Sequence, residues 1–348
     1  MFLSDFTYKQ ASGWQLDSLS LKRQNLVVGL NAVGKSRTIR AIGHVVRFIK
    51  GETDAFVEDF SCTLVFENGV KLEYSFDILD GEIYAEVLRK NGNVLVSRER
   101  FSAKMYGETI SPPSNKLVIQ VRRDTIRFPE IEEIIQWAEH TSTFVFSNIT
   151  TSPNSLSPYA ISAEPLLPVM FNRISESQRE MMVTYMRDMK YQIDRIEAFE
   201  QENGVKMLHV FEKGVDFPMT PFDLSNGMFR VFCILIYMLY SSTLSEARCL
   251  MIDDLGEGLD YMRSIKLGKV IFDYCSNHDI QLIVTSNDSF LMDTIDLRYW
   301  NILQRKGNHV LGLNAESHPV LFEKFARTGL SNFDLLSSNF IINNTENE

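Results

Sequence analysis

The sequence predicts an α/β fold: a parallel sheet flanked by helices, joined to an antiparallel β subdomain and a helical lobe. Three observations predict it. Asn25-Leu26-Val27-Val28 is a short apolar strand that runs through a glycine loop into a helix with apolar residues at 39, 42, 45, 46 and 49. Residues 58–98 alternate polar and apolar between Asn68-Gly69, Asp80-Gly81 and Asn91-Gly92, the turn pairs of hairpins. From residue 223 onward helix and strand patterns alternate, as they do when strands lie parallel.

Taken in order, Phe2–Phe6 and Trp14–Leu19 read as two opening strands. After the first helix, Cys62–Phe66, Lys71–Phe76, Ile83–Leu88 and Val94–Val96 form the meander. Leu117-Val118-Ile119-Gln120 reads as a strand ending in Gln. Pro129–Trp137 is an amphipathic helix, and Ser175–Phe199 is expected to be a longer one. Ser147–Pro158, rich in Ser, Thr, Pro and Asn, is a loop. Val205–Glu212 returns to strand. Helix 227–245, strand 248–254, helix 261–276, strand 280–286 and a short helix at 289–294 follow. Trp300–Leu313 is a hairpin turning at Lys306-Gly307-Asn308, and two short amphipathic helices near 322–327 and 333–336 precede a polar tail. The expected divisions are 1–124, 125–204, 205–313 and 314–348.

The glycine loop is Gly29-Leu30-Asn31-Ala32-Val33-Gly34-Lys35-Ser36, which fits G-x-x-x-x-G-K-[ST]. Gly29 and Gly34 allow positive φ and close backbone approach to phosphates. The following helix offers its positive end. Lys35 supplies charge to the β- and γ-phosphates, and the Ser36 hydroxyl ligates Mg²⁺. Asn31 and Arg37 belong to the same expected nucleotide contacts. A triphosphate site also needs a carboxylate for the metal. Cys249-Leu250-Met251-Ile252 is an apolar strand that ends in Asp253-Asp254, at the sheet edge where α/β folds bind ligands. Asp253 would hold Mg²⁺, and Asp254 would be the base or orienter of the attacking water. Asp223 or Ser225 caps the long helix that follows, Gly227 lies in its first turn, and such a helix start can hold an anion.

The net charge is −10, which argues against a broad nucleic-acid surface. No apolar run approaches bilayer-spanning length, so no membrane role is expected. The N-terminus lacks a basic start and small-residue cleavage site, and Cys62, Cys233, Cys249 and Cys275 are scattered without a C-x-x-C pair. Buried, reduced thiols in a cytoplasmic protein are the expectation.

In order, these pieces resemble the ABC-type ATPase heads of SMC and RecF proteins and of the overcoming-lysogenization-defect nucleases. They are most similar to the stand-alone bacterial ATPases of that group labelled AAA or SMC-like. Gly29-Leu30-Asn31 is similar to the G-x-N opening of their P-loop, and Leu224-Ser225-Asn226-Gly227 to their L-S-x-G signature. Asp253-Asp254-Leu255-Gly256-Glu257-Gly258-Leu259-Asp260 resembles Walker B running into the D-loop. Ile283-Val284-Thr285-Ser286-Asn287-Asp288 resembles the strand that bears the switch histidine.

The resemblance implies a P-loop NTPase in which two copies dimerise head to tail around two Mg-ATP, with Ser225 and Gly227 of one copy facing the P-loop of the other. It implies a magnesium-sensing glutamine, for which Gln120 is the candidate, with an ordinary exposed polar residue as the equal alternative. Adenine stacking by Phe6 or Tyr8 is the weaker alternative to their being core aromatics. Two departures stand out: Asp254 replaces the usual Glu, and Asn287 occupies the histidine position. The first withdraws the carboxylate by about 1.5 Å, a displacement that can cost ~10²-fold in rate. The second cannot take a proton near neutral pH. Slow hydrolysis and a long-lived ATP dimer, a switch rather than a motor, are therefore expected.

Long coiled-coil arms and a following nuclease domain are missing from the chain as given. Walker A and signature lie roughly 190 residues apart, too far for a transporter subunit. A RecF-like repair ATPase acting on DNA is disfavoured by the acidic charge. A sensor ATPase controlling a separately encoded effector is left by elimination, as in anti-phage and toxin–antitoxin-like operons. Lys35→Ala is expected to weaken nucleotide binding at least about tenfold, measured by titration with a fluorescent ATP analogue.

Overall fold

The computed structural model describes residues 1–52, 59–145, 166–200, 206–221, 223–245, 247–338 and 340. β1 (Phe2–Gln10) and β2 (Gln15–Ser20) pair as a hairpin, and β3 (Gln24–Val28) leads into α1 (Lys35–Lys50). Six antiparallel strands follow: β4 (Phe60–Glu67), β5 (Lys71–Leu79), β6 (Glu82–Lys90), β7 (Asn93–Glu99), β8 (Ser102–Met105) and β9 (Glu108–Ile110). Then come α2 (Val118–Val121), α3 (Pro129–Glu139), β10 (Thr141–Phe144), α4 (Leu166–Arg173), α5 (Glu176–Asp188), β11 (Ile193–Glu200) and β12 (Lys206–Glu212). The last part is α6 (Asn226–Ser241), β13 (Cys249–Ile252), α7 (Tyr261–Asn277), β14 (Gln281–Thr285), α8 (Ser289–Thr294), β15 (Trp300–Lys306), β16 (His309–Leu313), α9 (Pro319–Ala326) and α10 (Asp334–Ser337).

One sheet of 14 strands runs in the order β10-β13-β14-β3-β15-β16-β2-β1-β4-β5-β6-β7-β8-β9, and β11 and β12 form a separate ribbon. Neighbours from β10 to β15 in that order pair in parallel, and the strands from β1 outward to β9 pair antiparallel. Hydrophobic patterning explains the difference. β3, β13 and β14 are buried at every position because helices cover both faces. β4 and β5 bury alternate residues because one face meets the core and the other water.

Two cores result. One packs α1 and α3 against the meander, with Ile39, Ile42 and Trp137 at its centre. The other packs α6 and α7 against the parallel strands and extends to Leu321, Phe325 and Leu335. The two C-terminal helices therefore pack onto the head's own core. The apolar run 231–240 is a buried helix, as its composition requires. All four cysteines are buried and free, and no described helix is long and apolar enough to cross a membrane.

The structure corrects three expectations. The meander carries two further strands, β8 and β9, whose short lengths gave little alternation to read. The helix expected over Ser175–Phe199 stops at Asp188, where Met189 and the left-handed Lys190 turn the chain into β11. Arg195, Glu197 and Phe199 then lie on the outer side of a ribbon, and a helical period misread that alternation. The Leu117–Gln120 strand is instead a single helical turn, α2. Its start is set by the buried Glu86, which accepts the Val118 N–H at 2.7 Å and the Tyr74 hydroxyl at 2.9 Å. The loop at Ser147–Pro158 and the tail 342–348 lie outside the described residues.

Gln120 itself ties α2 to the far end of α1. Its Nε2 donates to the carbonyls of Phe48 at 2.6 Å and Ile49 at 3.2 Å, and its Oε1 accepts the Leu117 N–H at 2.9 Å. These are carbonyls of the last turn of α1, where helices leave acceptors to be filled from outside, and Phe48 also accepts the Gly51 N–H at 3.0 Å. Gln120→Ala is expected to cost about 1–2 kcal/mol in urea unfolding and to leave nucleotide affinity unchanged.

Candidate functional site

β3, β14 and β13 end at one edge of the sheet, because Ile252 pairs with Val284 and Val284 with Leu26 in parallel register. Each strand hands over one part of the site there: the 29–36 loop, Thr285 to Asn287, and Asp253-Asp254. Parallel strands put their following loops on the same side, so three segments remote in sequence meet without further devices.

The loop has the backbone its glycines predict. Gly29 sits at φ 152°, Ala32 at 63° and Gly34 at 120°. A Cβ on Gly29 would lie 2.9 Å from the Leu303 carbonyl and from Val33 Cγ1, so only glycine fits beneath the loop. Lys35, almost fully buried, donates to the carbonyls of Gly29 at 2.7 Å and Leu30 at 3.2 Å. Burial lowers its pKa, and the charges of Asp254 and Asp253 act against that fall. Ser36 lies half-buried in the first turn of α1, and Asn31 is exposed on the loop. This concave loop with an inward ammonium, a helix start and nearby carboxylates fits the phosphates of a Mg-nucleotide: Lys35 and the loop backbone could hold the phosphates, Ser36 and Asp253 the metal.

Asp253 is buried, and Asp254 follows it in the left-handed region at φ 55°. The Thr285 hydroxyl donates to Asp253 Oδ1 at 2.7 Å and accepts the Asp254 N–H at 2.8 Å. Asn287 Nδ2 donates to Asp254 Oδ1 at 3.0 Å, so the two residues that depart from the expected pattern contact each other. Burial raises the Asp254 pKa, helped by Asp253 and Glu257 and opposed by Lys35 and Arg230.

The signature segment does not join this cluster directly. Ser225 caps α6 by accepting the Met228 N–H at 3.4 Å, while Asp223 is engaged with the N–H and hydroxyl of Thr220. Gly227 packs against the loop after β13, where a Cβ would come 2.8 Å from the Gly258 carbonyl. Ser225 and Gly227 line a cavity of about 470 Å³ with residues of the α5–β11 turn and of the loop after β13, and no residue of the 29–36 loop belongs to its wall.

Two expected contacts fall elsewhere. Gln120 caps the C-terminal end of α1, a helix of 16 residues and about 24 Å, so it sits at the opposite end from Lys35 and cannot serve as a magnesium-sensing residue here. Arg37 is exposed, stacks on Trp14 at 4.7 Å and donates to Gln10, which directs it to the β1–β2 turn. Phe6 and Tyr8 are buried core aromatics.

Three residues went unread in the sequence. Thr285 holds the Asp253 carboxylate and the Asp254 backbone N–H. Arg305 of β15 donates to the Ala32 carbonyl at 3.2 Å and so braces the loop. Arg230 of α6 donates to the Glu257 carbonyl at 3.0 Å and pairs with the Glu257 carboxylate at 2.9 Å, beside Asp253 and Asp254. The arginines gave no local signal, because strand pairing and helix packing bring them in; the Thr before Ser286 could have been found by asking what a strand end adjoining Asp253 supplies.

Because the folded pKa of Asp254 lies above its unfolded value, the native state holds that proton longer, and stability falls as pH rises across the interval between the two. Asp254→Asn is therefore expected to be more stable than the parent at pH 7, with the gain shrinking as pH falls through the carboxylate range. Urea unfolding at pH 7 and pH 4 measures it, and an equal midpoint shift at both would contradict the assignment.

Known proteins match this architecture. Residues 25–293, more than half of the chain, match the family model described as "AAA domain, putative AbiEii toxin, Type IV TA system". Two solved structures are similar in fold. The SMC head bound to the C-terminal winged-helix domain of ScpA aligns with TM-score 0.57 at 12% identity, covering 92% of this chain and 100% of that one. The SMC head with an extended coiled coil bound to the C-terminal domain of ScpA, from Pyrococcus furiosus, aligns with TM-score 0.53 at 12% identity, covering 93% of this chain and 99% of that one. No curated protein matches significantly in sequence. With a P-loop, an acidic strand end and an intervening strand at one sheet edge, the chain has the fold of an SMC-like ABC ATPase head and belongs to this AAA-domain family.

Proposed function

We propose that this protein is a slowly hydrolysing ATPase that pairs head to tail with a second copy around two Mg-ATP and switches a separately encoded effector. One observation carries the slow-switch reading: Asn287 Nδ2 holds Asp254 Oδ1 at 3.0 Å. Asp254 is the residue that would orient water and take its proton. Its side chain is one methylene shorter than the usual Glu, and one of its two oxygens is already engaged by an amide. The amide offers no basic nitrogen to relay that proton. Lys35 and the loop amides would hold the phosphates, and Ser36 and Asp253 would hold the magnesium, which neutralises charge on the terminal phosphate when bound.

The separation of Ser225 and Gly227 from the chain's own loop supports pairing, since one copy supplies only one side of a nucleotide sandwich. ATP that binds the paired state better than the separate one shifts the population toward it. The Type IV toxin–antitoxin wording of the family supports an effector encoded apart, in an anti-phage or toxin–antitoxin-like setting. The SMC heads of similar fold are each bound to a ScpA domain, which supports docking of a partner protein on a head of this kind.

The expected kcat is below about 1 s⁻¹, with dimers seen by light scattering in a non-hydrolysable ATP analogue and monomers in ADP. The double variant Asp254→Glu with Asn287→His is expected to raise turnover by about tenfold or more while leaving nucleotide affinity within a factor of about two. Turnover that stays flat in this variant would sink the switch reading.

A further inference from the structure

The cavity beside Ser225 has a feature that the site described so far does not use. Its outer wall is the turn from α5 to β11, and Lys190 stands in that turn. The turn is a helix C-terminus of the kind that glycine usually closes. The Lys190 N–H donates to the Arg187 carbonyl at 2.8 Å, and the Tyr191 N–H donates to the Met186 carbonyl at 3.1 Å. Lys190 sits at φ 66°, in the left-handed region, where a lysine is disfavoured and a glycine is not.

The charges around it are otherwise engaged. Arg263, the other cation of the wall, pairs with Asp260 at 2.5 Å, donates to the Met189 carbonyl at 3.2 Å and stacks over Tyr191 at 4.4 Å. Asp223 holds Thr220. Lys190 is exposed, and among the described residues it forms no ion pair, with Glu212 of the same wall or with any other carboxylate. A helix-end position that favours glycine thus carries an unpaired ammonium, on a residue that lines the cavity together with Ser225 and Gly227.

We propose that Lys190 of one copy contacts the terminal phosphate of the nucleoside triphosphate held by the other copy, beside Ser225. This rests on the head-to-tail reading above. No group of the 29–36 loop reaches this cavity, so the anion would come from the second copy. A lysine there neutralises charge on a phosphate as a point charge and needs no fixed geometry. It would make dimer affinity, rather than nucleotide affinity, depend on Lys190.

The test uses Lys190→Gly, with Lys190→Asn in parallel, since both residues suit a left-handed helix end. Their thermal midpoints are expected to equal or exceed that of the parent. Nucleotide affinity, measured at protein concentrations below dimerisation, is expected to stay within a factor of about two. The dimer dissociation constant in Mg²⁺ and a non-hydrolysable ATP analogue, by analytical ultracentrifugation, is expected to rise about tenfold or more, with Lys190→Arg recovering most of it. A dimer constant equal to the parent's overturns the proposal, as does lost nucleotide affinity in the monomer or a failure of Lys190→Arg to recover. A parent that forms no dimer with the analogue refutes the head-to-tail reading itself, a separate outcome.

Discussion

One hydroxyl organises the acidic side of the nucleotide site. Thr285 Oγ1 donates to the Asp253 carboxylate and accepts the backbone N–H of Asp254, so a single side chain at the end of β14 fixes one carboxylate and the backbone of the next residue at the end of β13. Asp253 is buried, and a buried carboxylate without a donor would cost several kcal/mol on the order of any single interaction in the fold. Thr285 reaches it because β14 lies between β13 and β3, with Ile252 beside Val284 and Val27 beside Thr285. Strand order therefore decides the chemistry: the P-loop strand and the acidic strand do not touch, and the strand between them carries the hydroxyl that holds the Asp253 carboxylate and, two residues on, the amide of Asn287 that restrains the Asp254 carboxylate.

A second constraint joins the signature segment to the loop after β13. Gly227 meets the Gly258 carbonyl with no room for a side chain, and Arg230 clasps Glu257 by both its backbone and its carboxylate. Arg230 is desolvated, which lowers its pKa, and Glu257 acts against that fall. The loop that starts with the two acids thus ends against the start of α6. Displacing one displaces the other, since close-packed backbone does not yield by small steps. In a head-to-tail pair this rigid link would run from one nucleotide to the next.

The meander and the nucleotide helix are joined at their far ends by a different polar device. Glu86, fully buried and with its carboxyl raised by burial to about 7, receives the first N–H groups of α2, and Gln120 at the other side of that turn closes the end of α1. Residues 117–120 therefore form a strap between the two layers. In the sequence the same four residues are apolar enough to resemble a strand, and the glutamine is placed where a sensing residue could stand. The outcome turned on Glu86, whose position in the middle of β6 gives no hint that it caps a helix thirty residues later.

The 29–36 loop, its strand and helix, the Asp253-Asp254 strand end and the capped α6 were all legible in the sequence. Each is local: glycines that need positive φ, an apolar run ending in acids, a serine before a helix. The periodicities of β4, β5 and α7 were legible for the same reason, because one face of each meets water, while β3 and β14 were legible as short unbroken apolar runs. Contacts between distant segments were not. Thr285 with Asp253, Arg230 with Glu257, Arg305 with Ala32 and Gln120 with Phe48 each join residues far apart in the chain, and only the stacking of strands and helices brings them within hydrogen-bond reach. Sequence alone determined the chemistry available at the sheet edge, because side-chain type and backbone freedom are properties of single residues. Tertiary structure decided which groups meet, because a hydrogen bond depends on a few tenths of an ångström that no spacing along the chain specifies.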